Sequence, residues 1–274
     1  MTNAPHSLYP ALPDAAPDEQ DNLLCSLSDW ARLQPFVSLR LLTAQTPAAD
    51  ARAASGKAII TYVLAGDAAY ADSTGKRGTL HKSAWVWMIA GSGLCYSIAP
   101  LTHDFAAIEV CIALSPALEN SPPQSAYQSA VPTPPADPVQ VLIGWHDKNR
   151  SQFAAPSQVN YFLVQLSAQQ RWCYELPLNH QLGWAALISG RVQTAAGALH
   201  PKRVSAFHRP GEPIEFHAQE DSILVLGSAM EFGYDLITHA GSVHTSREAL
   251  QQGLQGIAAA AKTHPHLLCP HTST

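Results

Sequence analysis

The chain has 274 residues, enough to bury one large β core or two domains of ordinary size. Charged residues make up 14% and apolar ones 46%, a compact globular composition rather than a disordered one. Sixteen Lys+Arg stand against 21 Asp+Glu with no basic run, which excludes a patch that tracks a phosphate backbone; direct nucleic-acid binding is not expected.

The opening stretch MTNAPHSLYPALPDAAPDEQ has neither the basic region nor the apolar core of a secretory leader. The longest uncharged run, Ser83 to Thr102, approaches the ~20 residues that a membrane helix needs. Gly91-Ser92-Gly93 interrupts it, and Trp, Val, Tyr and Ser dominate instead of Leu, so two strands joined by a turn are expected and no membrane partner. Five cysteines (Cys25, Cys95, Cys111, Cys173, Cys269) show no CxxC spacing, which suits a reducing compartment, the cytoplasm.

Residues 1–34 read as an N-terminal arm. A short helix is expected over Asp18 to Leu33, where acidic residues cluster at the start and Leu23, Leu24, Leu27 and Trp30 recur at helical spacing. Strand patterns begin at Pro35 and fill a first barrel over 35–120. Val63-Leu64 precede Gly66, Asp72-Ser73-Thr74-Gly75 makes a hairpin tip, and Trp85 to Met88 follow. SPPQ and VPTPPADP cannot build a sheet interior, so 121–138 reads as a Pro-rich linker. A second barrel is expected over 139–240 and a C-terminal helix and tail over 241–274. Thr245 to Glu248 matches a capping box, with Thr245 as the capping residue and the helix running to about Lys262.

The two halves share an order of features. Tyr62 to Gly66 leads to Gly78-Thr79-Leu80-His81, then to a strand and a glycine turn. Trp184 to Gly190 leads to Gly197-Ala198-Leu199-His200, then to Val204, Phe207 and Arg209-Pro210-Gly211. The repeat predicts an all-β fold of two tandem jelly-roll barrels followed by a C-terminal helix.

Particular motifs carry a family resemblance: ITYVLAG, the D-S-x-G-x-R-G run at Asp72 to Gly78, the W-M-x-A-G-S-G run at Trp87 to Gly93, and ALENSPPQSAYQ at Ala117 to Gln128. YELPLNHQLGWAALISG and GSVHTSREAL continue it in the second half. With these the chain resembles the pirin family, whose members are bicupins, tandem barrels of the cupin type. The resemblance implies a metal, usually iron, held by a His-x-His pair before the ITYVL strand and a His-x-Glu pair after the Gly-Ser-Gly turn. Three nitrogens and a carboxylate with open positions suit a redox-active ion and O₂. Counted from Tyr62 and Gly93, those four places fall on Arg52, Ala54, Tyr96 and Ile98, and the carboxylate many members keep after the first pair falls on Ala58. No His lies between His6 and His81, so no shift of register restores the first pair.

The expectation is therefore a pirin-like bicupin without the usual metal site and with no cofactor, serving to bind a small molecule or a protein partner. Candidate pocket residues are Arg52, Tyr62, Trp87, Tyr96 and Ile98. Tyr96 offers a hydroxyl to a ligand or fills the emptied place by packing on Trp87. Two alternatives remain. One is a quercetinase-like dioxygenase with a relocated iron or copper site drawn from His81, His103, Asp104 and Glu109, residues that otherwise read as loop and solvated-strand positions. The other is a redox sensor using Cys95 and Cys111, which otherwise read as small buried hydrophobes. His180 reads as a loop-fixing residue.

Overall fold

The computed structural model describes residues 23–25, 32–45, 52–129, 137–201, 203–207 and 212–267. The strands in chain order are β1 (Leu23–Cys25), β2 (Phe36–Thr43), β3 (Arg52–Ala54), β4 (Lys57–Ala65), β5 (Ala68–Asp72), β6 (Arg77–Leu80), β7 (Trp85–Ile89), β8 (Leu94–Pro100), β9 (Ala106–Ala113) and β10 (Gln124–Gln128). They continue with β11 (Val139–Ile143), β12 (Trp145–His146), β13 (Asn149–Arg150), β14 (Val159–Leu166), β15 (Arg171–Tyr174), β16 (Leu182–Ser189), β17 (Val192–Thr194), β18 (Gly197–Ala198), β19 (Val204–Phe207), β20 (Ile214–Ala218) and β21 (Ser222–Ala229). The chain ends with β22 (Ile237–His239), β23 (Ser242–His244) and helix α1 (Arg247–Thr263). The chain divides into two compact units, Phe36–Val131 with Gly233–Thr274, and Met1–Pro35 with Pro132–Phe232. Each contains one barrel.

In the first barrel, β2-β9-β4-β7-β10 run in that order in one sheet and β3-β8-β5-β6 form the other. β4 is its central strand. KAIITYVLA is almost continuously apolar and is buried along both faces, as a strand covered on two sides requires. The second barrel repeats the arrangement: β11-β14-β21-β16-β19 in one sheet and β15-β20-β17-β18 in the other. Its interior is filled by Phe162, Val164, Tyr174, Leu187, Phe216 and Leu226 among others, each large side chain contributing about 1.5–3 kcal/mol on burial. In both halves the strand before the hairpin closes on a glycine with positive φ, Gly66 at +66° and Gly190 at +88°. A Cβ at either would also strike a neighbour at 2.3 Å, Thr102 Oγ1 or Ser222 Oγ.

Three expectations are corrected. Leu23–Cys25, placed in a helix by spacing, is a strand; three consecutive apolar residues fit an extended chain equally well, and the rest of that helix lies outside the described residues apart from its end. The Pro-rich stretch contributes a strand of its own, since β10 pairs with β7 from Gln124↔Ile89 to Gln128↔Trp85. The helix is capped by Ser246, whose hydroxyl accepts from the Ala249 N–H, because Thr245 is spent elsewhere: its N–H and hydroxyl both donate to Glu119, at 2.7 and 2.8 Å.

Helix α1 docks on the Gly91-Ser92-Gly93 turn. A Cβ on Gly256 would sit 1.9 Å from the Ser92 carbonyl oxygen, and one on Gly93 would sit 2.4 Å from the Ile257 nitrogen. In a free helix, Gly256→Ala stabilises by about 0.5–1 kcal/mol. Here the sign reverses: the variant is expected to lower the thermal unfolding midpoint by on the order of 5 °C, measured by circular dichroism.

Candidate functional site

Register brings together residues far apart in sequence. β3 pairs with β8 so that Arg52 lies opposite Tyr96 and Ala54 opposite Leu94. β9 pairs with β4 so that Glu109 lies opposite Thr61. Inside the barrel, Arg52 Nη1 donates to both Glu109 oxygens, at 3.0 and 3.1 Å, while Thr61 Oγ1 and Tyr96 Oη each donate to Oε2 at 3.3 Å. Glu109 is buried, whereas the Arg52 side chain keeps 23% of its surface exposed. The Glu109 carboxylate raises the guanidinium further above its ordinary value, so the cation is permanent. Burial, and then the same carboxylate, push the Tyr96 phenol well above its usual range, which keeps its proton on the oxygen that donates.

Contrary to the expectation of a solvated strand position, Glu109 is the buried counter-ion of Arg52. These residues do not fit a metal. A guanidinium has no lone pair to give and repels a cation. The one carboxylate beside it already accepts from three side chains.

The other sequence candidates divide between this inner face and other places. Alternation along β4 and β7 sends Thr61 and Val86 toward Glu109, so Tyr62 and Trp87 project from the opposite face of the sheet. Tyr62 is buried there, and burial raises its phenol above the usual value. Tyr96 therefore meets Glu109 rather than packing on Trp87. Ile98 shares the inner face and pairs with Tyr70. Cys95 pairs with Ala53 and points away from the interior that Tyr96 faces, whereas Cys111 shares the inner face with Glu109. Burial raises the Cys95 thiol, the wrong direction for a reactive thiolate. His81, His103 and Asp104 are exposed, and His81 Nδ1 lies 2.9 Å from Asp67 Oδ1. Among the described residues, no three His, Cys, Asp or Glu side chains group in a way that holds a metal ion.

A second cluster has the connectivity of a nucleophilic triad. Ser55 Oγ lies 2.8 Å from His244 Nε2, and His244 Nδ1 lies 3.4 Å from Glu119 Oε2. All three are buried, and burial holds the His244 imidazole below its usual value against the pull of Glu119. A Cβ at Gly253 would strike both Ser55 Oγ and His244 Nε2, at 2.3 and 2.5 Å. The helix backbone seals the serine from any substrate. The cluster is a polar fastening between β23 and the strand connection at Ser55, where the Val243 N–H also donates to the Ser55 carbonyl at 3.1 Å.

The second barrel holds what sequence reasoning missed: a cleft of about 570 Å³ lined by Trp145, His146, Asn160, Trp172 and Tyr174 among others. The clue was the aromatic density of Trp145-His146 and Arg171-Trp172-Cys173-Tyr174, which only folding brings to one mouth. Beneath the cleft, Asn160 Nδ2 donates to Tyr174 Oη at 3.4 Å, Tyr174 Oη lies 2.7 Å from Ser228 Oγ, and His180 Nδ1 lies 2.9 Å from the same hydroxyl.

Two barrels with this strand order are tandem cupins, and the class is bicupin. Residues 31–109 match the profile of the Pirin family. A putative pirin-like protein of Arabidopsis thaliana is 29% identical over 119 residues, covering 43% of this chain and 44% of that protein, so the match spans less than half of the relative's length. Among solved structures, a quercetin 2,3-dioxygenase from Acinetobacter baumannii superposes with a TM-score of 0.76 at 17% identity, covering 88% of this chain and 90% of that one. The bacterial pirin YhhW of Escherichia coli, in complex with nickel(II), gives 0.61 at 14% identity over 73% and 84%. The chain thus resembles pirins in sequence over residues 31–109, and it shares the fold of a bacterial pirin over 73% of its length.

Removing one partner of the buried pair strands the other's charge. Arg52→Met and Glu109→Gln are each expected to cost about 3–5 kcal/mol, and the double variant to regain most of that loss, read from urea unfolding in a double-mutant cycle. A second test concerns acid. Burial pushes His180 down to about 4, so between about 6.5 and 4 the unfolded chain takes up a proton that the folded chain refuses. Stability present at neutral pH is therefore lost as pH falls through that window, by on the order of 3 kcal/mol in full. His180→Gln should flatten that acid limb in unfolding midpoints measured between pH 7 and 4.

Proposed function

We propose that this protein is a pirin-like bicupin that works without the family's metal and binds a small molecule or a protein partner. The observation that carries the reading is the Arg52 guanidinium closed on Glu109, with Arg52 facing Tyr96 where the family resemblance puts two of the metal's ligands. The guanidinium supplies a fixed positive charge in that region, and its pairing engages the carboxylate that an incoming ion would use. A partly exposed side chain carrying a permanent cation suits recognition of an anionic or carbonyl-bearing group better than oxygen chemistry.

No cofactor is expected on this reading. The acidic balance without a basic run supports a partner that is neither nucleic acid nor membrane. No helix among the described residues is long and apolar enough to cross a membrane. Cysteines without CxxC spacing support a cytoplasmic setting.

A dioxygenase using iron or copper is the competing reading, and the likeness to a quercetin 2,3-dioxygenase is its support. Fold alone does not carry an activity. Elemental analysis of the untagged purified protein separates the two: iron, copper and nickel are expected far below one ion per chain, and near-stoichiometric iron or copper would reverse the proposal. A redox role for Cys95 and Cys111 is excluded if a variant with both changed to Ser responds to peroxide as the parent does.

A further inference from the structure

We infer that the cleft of the second barrel is a binding site for a small organic cation with a methylated or planar head. This reaches beyond the reading of the first barrel and does not depend on it. The volume, about 570 Å³, lies within the range of small-molecule sites. Its lining is aromatic and closely packed: Trp172 stacks on Tyr174 at 5.9 Å between centroids and on Phe216 at 5.4 Å, and His146 lies 5.9 Å from Trp172 and 6.0 Å from Tyr174. Trp145 is 53% exposed and Leu178 86% exposed at the lip, large apolar side chains left in water beside a concave surface.

Charge chooses among ligands. Among the described residues, the lining includes the acidic residues Asp147 and Glu175 and neither Lys nor Arg. Aromatic faces present negative potential, and carboxylates at the lip add to it, so an anion is repelled and a desolvated cation is attracted. A neutral ligand of the same shape gains only burial. The floor is built to stay put. Asn160 Oδ1 accepts from the Trp145 N–H at 3.1 Å, which ties the β12 strand to the cleft, and Asn160 Nδ2 engages Tyr174. Tyr174 is held in turn by Ser228 and, through it, by His180. With the ring positions fixed before binding, little ordering is required of the site.

The test titrates the full chain with choline, followed by calorimetry and by tryptophan fluorescence. Its neutral isostere, with carbon in place of the quaternary nitrogen, and the carboxylate bearing the same tert-butyl head serve as comparisons. Choline is expected to bind with a Kd of about 0.1–1 mM, the neutral isostere about 10-fold more weakly, and the carboxylate not at all. Trp145→Ala and Asp147→Asn change exposed side chains, so the fold persists, and each should weaken choline about 5-fold or more. Equal affinity for the neutral isostere, absence of saturable choline binding, or indifference to both substitutions would overturn the assignment. Metal content of the first barrel has no bearing on these outcomes, so failure of the metal-free reading and failure of this one are told apart.

Discussion

Burying a carboxylate inside a barrel costs several kcal/mol unless donors meet it, and Glu109 is met by Arg52, Thr61 and Tyr96. Glu109 and Thr61 belong to one sheet of the first barrel, Arg52 and Tyr96 to the other. The interaction therefore spans the barrel, and its geometry holds only when both sheets keep register. Such a pair adds little net stability over a well-packed apolar core, yet it tolerates no loss of a single member. The guanidinium is held in place, and the interior beside it carries a fixed charge instead of an exchangeable one.

How much of this was legible in the sequence follows from distance along the chain. Counting from Tyr62 and from Gly93 reached Arg52 and Tyr96 separately, and the two prove to be cross-strand partners. Local turn grammar made that possible, since the Asp72 to Gly75 tip and the Gly91 to Gly93 turn fix the strands between them. Glu109 resisted the same treatment. In AAIEVCIA a lone acid looks like the solvent side of a strand, and the residue that neutralises it lies 57 positions away. Tyr62 and Trp87 lie on strands buried along both faces, so their apolar runs did not say which face looks inward. Thr245 matched a cap by spacing, but Glu119, 126 residues earlier, competes for its groups.

The two barrels share a strand order and differ in what fills them. Across β3 and β8 the facing side chains are Arg52 and Tyr96; across the matching β15 and β20 they are Trp172 and Phe216, stacked at 5.4 Å. A polar pair spans the first of these strand pairs and an aromatic stack spans the second. The strand order repeats, and each barrel fills its interior with different chemistry. That is why the backbone order was readable as a repeat while the sites were not.

Geometry of contacts does not by itself make a site. Ser55, His244 and Glu119 lie in the order of a catalytic relay, yet Gly253 has no room even for a methyl group against them. A nucleophile needs a space in which a reacting carbonyl can stand about 3 Å away, and here the space belongs to helix α1. The second barrel shows the opposite condition. Trp172 and Tyr174 are held from behind by Phe216 and Ser228, while the cleft they line stays open at Trp145 and Leu178. Side chains fixed on one side and facing a void on the other are able to select a ligand. Side chains fixed on every side only join strands and helices.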